Sequence, residues 1–218
     1  MDMDKDKLLS HIDHTLLSPT ATWRDIQVLC REAVTYKMAS VCIPPSFVVQ
    51  VKKMFGNTVN ICTVIGFPLG HSTMQTKIQE AMAAVAGGAS EVDMMINLGD
   101  VKSGQFSKVT AEITAIKKAI DDKILKVIVE TCYLTETEKI TLCGCIEMAG
   151  ADYIKTSTGF GTFGATIEDI KLFKKYLGPD VKVKAAGGIK TLQALEAFIH
   201  AGCDRIGTSS AVKILNGG

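Results

Sequence analysis

The chain alternates short apolar runs with longer stretches in which apolar residues recur every three or four positions. The short runs are typical of buried strands and the longer stretches of amphipathic helices; within residues 23–37, positions 26, 29, 30, 33 and 34 are apolar. Strands are predicted over residues 12–16, 40–43, 60–65, 90–96, 125–130, 152–155, 181–185 and 204–207. Helices are predicted over residues 23–37, 46–55, 73–86, 105–121, 135–148, 166–176 and 191–200, with a short helix after Ser209.

Strands and helices alternate along the whole chain, which predicts parallel strands joined by crossover helices. Eight such units favour a closed (β/α)8 TIM barrel as a single domain over residues 1–218, with 1–11 as an N-terminal amphipathic segment. The loops must be short, because barrels of this kind typically have roughly 250 residues. An open doubly wound sheet is the alternative. It is disfavoured because no GxGxxG motif follows the first strand.

Composition and charge exclude several classes of protein. Lys and Arg number 24 against 23 Asp and Glu, and the basic residues are scattered, so neither a nucleic-acid nor a membrane partner is expected. The seven cysteines include no CxxC pair, which favours a reducing compartment, and the charged N-terminus lacks a signal-peptide core; we therefore expect a cytoplasmic protein. The four histidines show no metal-ligand spacing, so no metal site is expected.

Three predicted strands carry a charged residue near their carboxyl end, where TIM barrels build their active sites. These residues are Asp93, Lys155 and Lys184, and alternation along each strand points all three into the barrel. Taken singly, each is more simply a structural ion pair. Together they supply a nucleophilic amine, a neighbouring charge and a proton carrier, which is what Schiff-base chemistry on a carbonyl requires.

The two lysines lie on neighbouring strands, so their ammonium groups are expected to be about 5 Å apart. At that separation they would repel by about 3 kcal/mol, enough to lower the pKa of one of them towards neutrality. Alternation alone does not say which lysine is the nucleophile. Lys182 lies one layer deeper than Lys184, and its ammonium is expected at the opposite mouth of the barrel or on a buried carboxylate.

Glycine-rich loops follow the last two predicted strands, at residues 186–189 and 207–210. The loops after strands seven and eight of a TIM barrel commonly bind phosphate through backbone N–H groups. Because two loops agree, we expect an anion pocket there, with Gly159 and Gly161 as a third wall.

Several segments resemble the deoxyribose-phosphate aldolases, a family of class I aldolases. The motifs are IDHTLL at 12–17, VCIPP at 41–45, EVDMMIN at 91–97, DYIKTSTGFG at 152–161, VKVKAAGGI at 181–189 and RIGTSS at 205–210. The resemblance implies that Lys155 forms the Schiff base, Lys184 perturbs its pKa and Asp93 takes part in proton transfer. It implies reversible cleavage of 2-deoxy-D-ribose 5-phosphate to D-glyceraldehyde 3-phosphate and acetaldehyde, with no metal or organic cofactor. The implied substrate- and phosphate-binding residues are Gly159, Gly187, Gly188, Gly207, Ser209 and Ser210.

Two features depart from this family. Some members have a lysine where this chain has Phe160, so a charged contact to phosphate is expected to be absent. Some members end in a tyrosine that assists proton transfer, whereas the last tyrosine here is Tyr176. Asp13, Thr15 and Cys42 are therefore candidates for a proton relay or pocket role.

The functional alternatives are a transaldolase-like Schiff-base enzyme and a non-catalytic barrel that binds phosphosugars. A homodimer or higher homo-oligomer is expected by analogy with the family.

Overall fold

The computed structural model describes residues 4–215, and its eight parallel strands close into one barrel in sequence order. The TIM-barrel prediction is confirmed, and closure between the first and last strands excludes the doubly wound alternative. The strands are β1 Ile12–Thr15, β2 Ser40–Ile43, β3 Ile61–Ile65, β4 Glu91–Met95, β5 Ile124–Ile128, β6 Tyr153–Lys155, β7 Lys182–Ala186 and β8 Arg205–Thr208. Of the expected N-terminal segment, residues 1–3 lie outside the described residues.

Helices cover the outside of the barrel. They are α1 Lys5–Leu9, α2 Trp23–Thr35, α3 Val48–Phe55, α4 Met74–Ala86, α5 Leu98–Lys102, α6 Phe106–Ile120, α7 Glu136–Met148, α8 Ile167–Tyr176, α9 Leu192–His200 and α10 Ala211–Leu215. The predicted helices agree with these within a few residues, but the pattern missed α5. That helix has only five residues and contains Gly99, so it shows too little periodicity to be recognised.

Threonine starts five of these helices. In each case the threonine hydroxyl accepts a backbone N–H that the first helical turn leaves unpaired. The threonines in these N-cap positions are Thr22, Thr73, Thr135, Thr166 and Thr191. Each of these caps lies at the end of a loop that follows the carboxyl end of a strand. The caps therefore fix where each of these loops ends and the next outer helix begins.

The two faces of the strands differ sharply in chemistry. Outward side chains such as Val92, Ile154 and Ile206 are fully buried against the helices. Inside the barrel, Cys42, Cys62 and Val64 form a small separate apolar group. The rest of the interior is occupied by buried acids and bases instead of the branched apolar residues usual in such barrels.

Lys182 opens β7 and is exposed, with its Nζ 5.7 Å from the centre of the Tyr153 ring. This confirms the prediction that its ammonium reaches the mouth opposite the active-site end. No helix within residues 4–215 is long and apolar enough to cross a membrane.

Candidate active site

Asp93 is the centre of the charged interior. Strand register places it beside Lys126 on β5, and Lys155 beside Lys184 on β6 and β7. Oδ2 of Asp93 accepts hydrogen bonds from the Nζ of Lys155 at 2.8 Å and of Lys184 at 2.7 Å. Its Oδ1 accepts a third from the Nζ of Lys126 at 2.8 Å. The three residues predicted from the sequence therefore do come together, on one carboxylate.

A second carboxylate, Asp13 on β1, supports the same group from the side. It accepts a short hydrogen bond from Lys184, one from Ser40 Oγ at 2.6 Å and one from Arg205 Nη1 at 2.5 Å. Lys184 thus bridges Asp13 and Asp93, with no exposed surface of its own. This arrangement suits a residue that stays charged and connects two carboxylates.

The deepest layer is a further ion-pair group that sequence reasoning did not assign to the site. Glu91 lies 2.5 Å from the Nζ of Lys126 and 3.2 Å from Arg205. The Tyr153 ring lies beneath, with its centre 6.0 Å from Lys126 Nζ and 5.8 Å from the Arg205 guanidinium carbon. Lys126 could have been found by the same alternation that found Lys155, because it interrupts the apolar run of β5.

The electrostatic environment holds most of these groups in their charged forms. Burial alone would raise the pKa of Asp93, but Lys126, Lys155 and Lys184 outweigh it and hold that pKa well below its ordinary value. Burial would lower the pKa of Lys184, but Asp13 and Asp93 outweigh it and raise the pKa. Repulsion within the lysine pair therefore does not lower the pKa of Lys184, because carboxylates lie between and beside the two ammonium groups.

Contacts with carboxylates distinguish one lysine of this group. The interior holds three buried carboxylates, from Asp13, Glu91 and Asp93, and three buried lysines, Lys126, Lys155 and Lys184. The guanidinium of Arg205 is only partly buried beside them. Lys126 and Lys184 each contact more than one carboxylate, whereas Lys155 contacts only Asp93 among the described residues. Lys155 is therefore the lysine of this group that the carboxylates hold least.

Access to solvent singles out the same lysine. A cavity of about 410 Å³ opens at the carboxyl ends of β1 and β6 to β8, and Lys155 forms part of its floor. Within the described part of the chain, no other lysine of the buried group lines this cavity. Strand alternation could not distinguish Lys155 from Lys184. Their positions relative to the cavity do, because Lys155 lines it and Lys184 is fully buried.

The glycine loops line the same cavity as Lys155. All six predicted substrate- and phosphate-binding residues are among its walls: Gly159, Gly187, Gly188, Gly207, Ser209 and Ser210. Gly187 and Gly188 have φ of +85° and +78°, which directs successive peptide groups in a way that residues with a side chain rarely allow. Lys190, also on the wall, is a cation that the sequence reasoning missed.

The candidate relay residues fall into two places. Thr15 lines the cavity and donates its hydroxyl to the Asp13 carbonyl oxygen at 2.8 Å, which links the cavity to the buried layer. Cys42 is buried beside Cys62, whose Sγ lies 3.1 Å from Asp93 Oδ1. Potential ligand atoms of Cys42, Cys62 and Asp93 lie within 4.8 Å of one another, but the ammonium groups on Asp93 disfavour a metal cation there.

Comparison with known proteins agrees with this geometry. The family described as DeoC/LacD family aldolase matches residues 7–214. The chain belongs to this family.

The DeoC/LacD-family chain is also similar to individual proteins over nearly its full length. It is 57% identical to the deoxyribose-phosphate aldolase of Clostridium botulinum (strain Alaska E43 / Type E3), with 99% of this chain and 97% of that protein covered. It is 55% identical to that of Clostridioides difficile (strain 630), with 95% of each chain covered. Among solved structures, the tetrameric deoxyribose phosphate aldolase from Aeropyrum pernix superimposes with a TM-score of 0.92 at 35% identity, covering 98% of this chain and 91% of that one. The resemblance drawn from the sequence motifs is confirmed at the level of the family.

Proposed function

We propose that this protein is a class I aldolase that reversibly cleaves 2-deoxy-D-ribose 5-phosphate to D-glyceraldehyde 3-phosphate and acetaldehyde, with Lys155 as the Schiff-base lysine. The observation that carries the proposal is the position of Lys155. Among the buried lysines of the described residues, it is the one that lines the cavity of about 410 Å³ together with the glycine loops. The names of the relatives from Clostridium botulinum and Clostridioides difficile support the same substrate.

The proposed reaction has three stages: imine formation on Lys155, cleavage of a carbon–carbon bond, and hydrolysis. The neutral amine of Lys155 adds to the aldehyde carbon of the open-chain sugar, and loss of water gives an imine. Removal of the proton from the C3 hydroxyl then breaks the C2–C3 bond, releasing glyceraldehyde 3-phosphate and leaving an enamine. Protonation at C2 and hydrolysis release acetaldehyde and restore the amine.

Asp93 is the proposed proton carrier, because it accepts hydrogen bonds from both lysines on one oxygen. Lys184 connects this carboxylate to the carboxylate of Asp13. Protons therefore have a hydrogen-bonded route among Lys155, Asp93, Lys184 and Asp13 that does not cross bulk solvent.

The phosphate is proposed to bind the loops after β7 and β8, through Gly187, Gly188, Ser209 and Ser210. Lys190 is the cation on that wall. Phe160, half exposed and edge-on to Phe67 with ring centres 5.5 Å apart, adds only apolar surface. Unphosphorylated deoxyribose should therefore be a poorer substrate by about tenfold or more, the contribution of one charge-assisted hydrogen bond.

Trapping with acetaldehyde and borohydride tests the reaction class. A Schiff-base enzyme gains a reduced two-carbon adduct, which peptide mapping should place on the segment that contains Lys155. A barrel that only binds phosphosugars gains none. An assay for glyceraldehyde 3-phosphate from deoxyribose 5-phosphate then separates this aldolase from a transaldolase-like enzyme; absence of that product would contradict the proposal.

We also propose that the chain self-associates and works in a reducing compartment such as the cytoplasm. The tetrameric relative from Aeropyrum pernix and exposed apolar side chains on α2 and α3, including Val28 and Met54, support self-association. All seven cysteines are free thiols, which supports the compartment. Light scattering at micromolar concentration tests the assembly, and a monomer alone would contradict it.

A further inference from the structure

Glu130 follows β5 in an uncommon backbone conformation. Its φ and ψ are 54° and 67°, the left-handed region that a residue with a side chain adopts at a cost. Its side chain is also almost completely buried. A strained residue carrying a buried carboxylate at the carboxyl end of a barrel strand is a candidate for a functional role.

The Glu130 carboxylate binds the loop that follows Lys155. Its Oε1 accepts the backbone N–H of Thr158 at 3.1 Å, and its Oε2 accepts a short hydrogen bond from the Thr158 hydroxyl. That hydroxyl oxygen in turn accepts the backbone N–H of Phe160 at 3.0 Å. One carboxylate thus orients the Ser157–Thr158 peptide group directly and the Gly159–Phe160 peptide group through the Thr158 hydroxyl.

Packing supports the same attachment. A Cβ atom on Gly161 would lie 3.1 Å from Cδ of Glu130 and 2.9 Å from Sγ of Cys132, so the loop rests directly on the carboxylate. The backbone N–H of Thr131 donates to the Thr156 carbonyl oxygen at 2.9 Å, which continues the β5–β6 pairing up to this point. The left-handed turn at Glu130 occurs where the backbone pairing of β5 with β6 ends. Beyond it, the Glu130 side chain provides the hydrogen bonds to the loop after β6.

The attached loop is a thin wall between two cavities. Thr158, Gly159 and Phe160 face the 410 Å³ cavity that contains Lys155. Thr158, Phe160 and Gly161 also face a second cavity of about 190 Å³, whose lining includes Glu130. The wall lies directly beside Gly187, since a Cβ atom added there would be 3.6 Å from Gly159 Cα, so its position shapes the larger cavity next to that loop.

We propose that Glu130 is a positioning residue for the phosphate end of the substrate, acting through Thr158 and the Gly159 backbone. This inference rests on the proposed function, since it assigns Gly159 to phosphate binding. A carboxylate is required because it accepts the N–H and the O–H of Thr158 together. A glutamine offers one acceptor oxygen, and its amide group would turn the Thr158 hydroxyl away from its present donor role.

The test compares Glu130→Gln, Thr158→Val and Thr158→Ser with a control, Glu136→Gln, which changes an exposed acid at the start of α7. We expect Glu130→Gln and Thr158→Val each to raise KM for deoxyribose 5-phosphate by about tenfold, the loss expected for one misplaced charge-assisted hydrogen bond. Their kcat/KM for unphosphorylated deoxyribose should stay within about twofold, because that substrate does not use the phosphate wall. Thr158→Ser and the control should behave as the unaltered protein.

Two further measurements separate positioning from stability and from the reaction itself. The rate of borohydride-trapped acetaldehyde adduct should be unchanged in Glu130→Gln, because the Lys155 amine is untouched. Isothermal titration with inorganic phosphate should show weaker binding to Glu130→Gln than to the unaltered protein. If the unaltered protein has no aldolase turnover, the proposed function fails, while the phosphate titration still decides the role of Glu130.

Equal losses on phosphorylated and unphosphorylated sugar would reduce Glu130 to a structural residue and overturn the proposal. Unchanged KM and unchanged phosphate affinity in Glu130→Gln would overturn it as well. The double variant Glu130→Gln with Thr158→Val should be no worse than either single variant, because both remove the same link. Additive losses would show that the two residues act separately and would overturn the proposed action of Glu130 through Thr158.

Discussion

Replacing Asp93 with Asn tests whether the buried charges form one compensated group. Asparagine keeps the shape of the side chain but removes its negative charge. Three ammonium groups, of Lys126, Lys155 and Lys184, then lie within hydrogen-bond distance of a neutral amide. The buried interior would then contain two carboxylates and three lysines beside the partly buried Arg205, so it gains one unbalanced positive charge if all stay ionised.

The expected cost follows from these contacts. Two ammonium groups bonded to one oxygen are about 5 Å apart and repel by about 3 kcal/mol at an effective dielectric constant near 20. Breaking one partner of a buried pair generally costs about 3–5 kcal/mol. We therefore expect Asp93→Asn to lower the free energy of unfolding by about 3–5 kcal/mol, out of a total of roughly 5–15 kcal/mol for a protein domain.

Denaturant unfolding at pH 7 measures this loss of stability. Its dependence on pH tests whether excess positive charge is the cause. In the variant, a buried lysine that loses its proton relieves the excess charge, so the folded state binds fewer protons than the unfolded state. The free energy of unfolding then rises with pH. The difference in free energy of unfolding between the variant and the unaltered protein should therefore become smaller between about pH 7 and pH 9.5.

A second substitution makes the test specific. Adding Lys155→Met to Asp93→Asn removes one excess cation, so the double variant should be more stable than the sum of the single effects predicts, by about 1–3 kcal/mol. Asp100→Asn is the control, because Asp100 pairs at 2.7 Å with the largely exposed Lys108; it should cost about 1 kcal/mol or less. A cost for Asp93→Asn similar to this control, or no coupling to Lys155, would refute the charge-compensation argument.

Three further predictions address the nucleophile, acid stability and phosphate preference. Lys155→Leu should abolish turnover and trapped adduct, whereas Lys184→Leu should keep an adduct on Lys155 but lower turnover by about 10²–10⁴-fold; an adduct mapped to Lys184 in the unaltered protein would reverse the assignment. The pKa values of Asp13 and Asp93 are lowered from 3.8, so their stabilisation is present above that pH and is lost as pH falls below it; unfolding free energies that do not fall below about pH 4 would contradict this. Phe160→Lys adds an ammonium group to the cavity rim and should lower KM for deoxyribose 5-phosphate by up to about tenfold; an equal change for unphosphorylated deoxyribose would contradict a phosphate contact.

Much of the candidate site was predictable from local pattern. Asp93, Lys155 and Lys184 interrupt apolar strands, and alternation points each of them inward. The glycine loops after β7 and β8 were predictable for the same reason, because their place in the repeat assigns them to the active-site mouth. Glu91 and Lys126 obey the same alternation but were not assigned to the site: Glu91 lies at the start of β4, and Lys126 is paired with Asp93 only by the register between β4 and β5.

Sequence alone also left the role of Glu130 unassigned. It reads as the last residue of an apolar run, whereas it lies in a left-handed turn whose carboxylate binds a loop 28 residues away. Contacts of this kind depend on two loops meeting in space, and no local periodicity encodes them.

By itself, the sequence determined the eight-fold repeat of strand and helix, the inward set of charged residues and the family, because each depends on residue type and spacing along the chain. Tertiary structure decided the charge partners and the depth of each lysine. Barrel closure and strand register place Lys184 between two carboxylates and leave Lys155 with one carboxylate and a cavity. The physical reason is that alternation sets the direction of a side chain, whereas ionisation and access depend on what the neighbouring strands bring to its end.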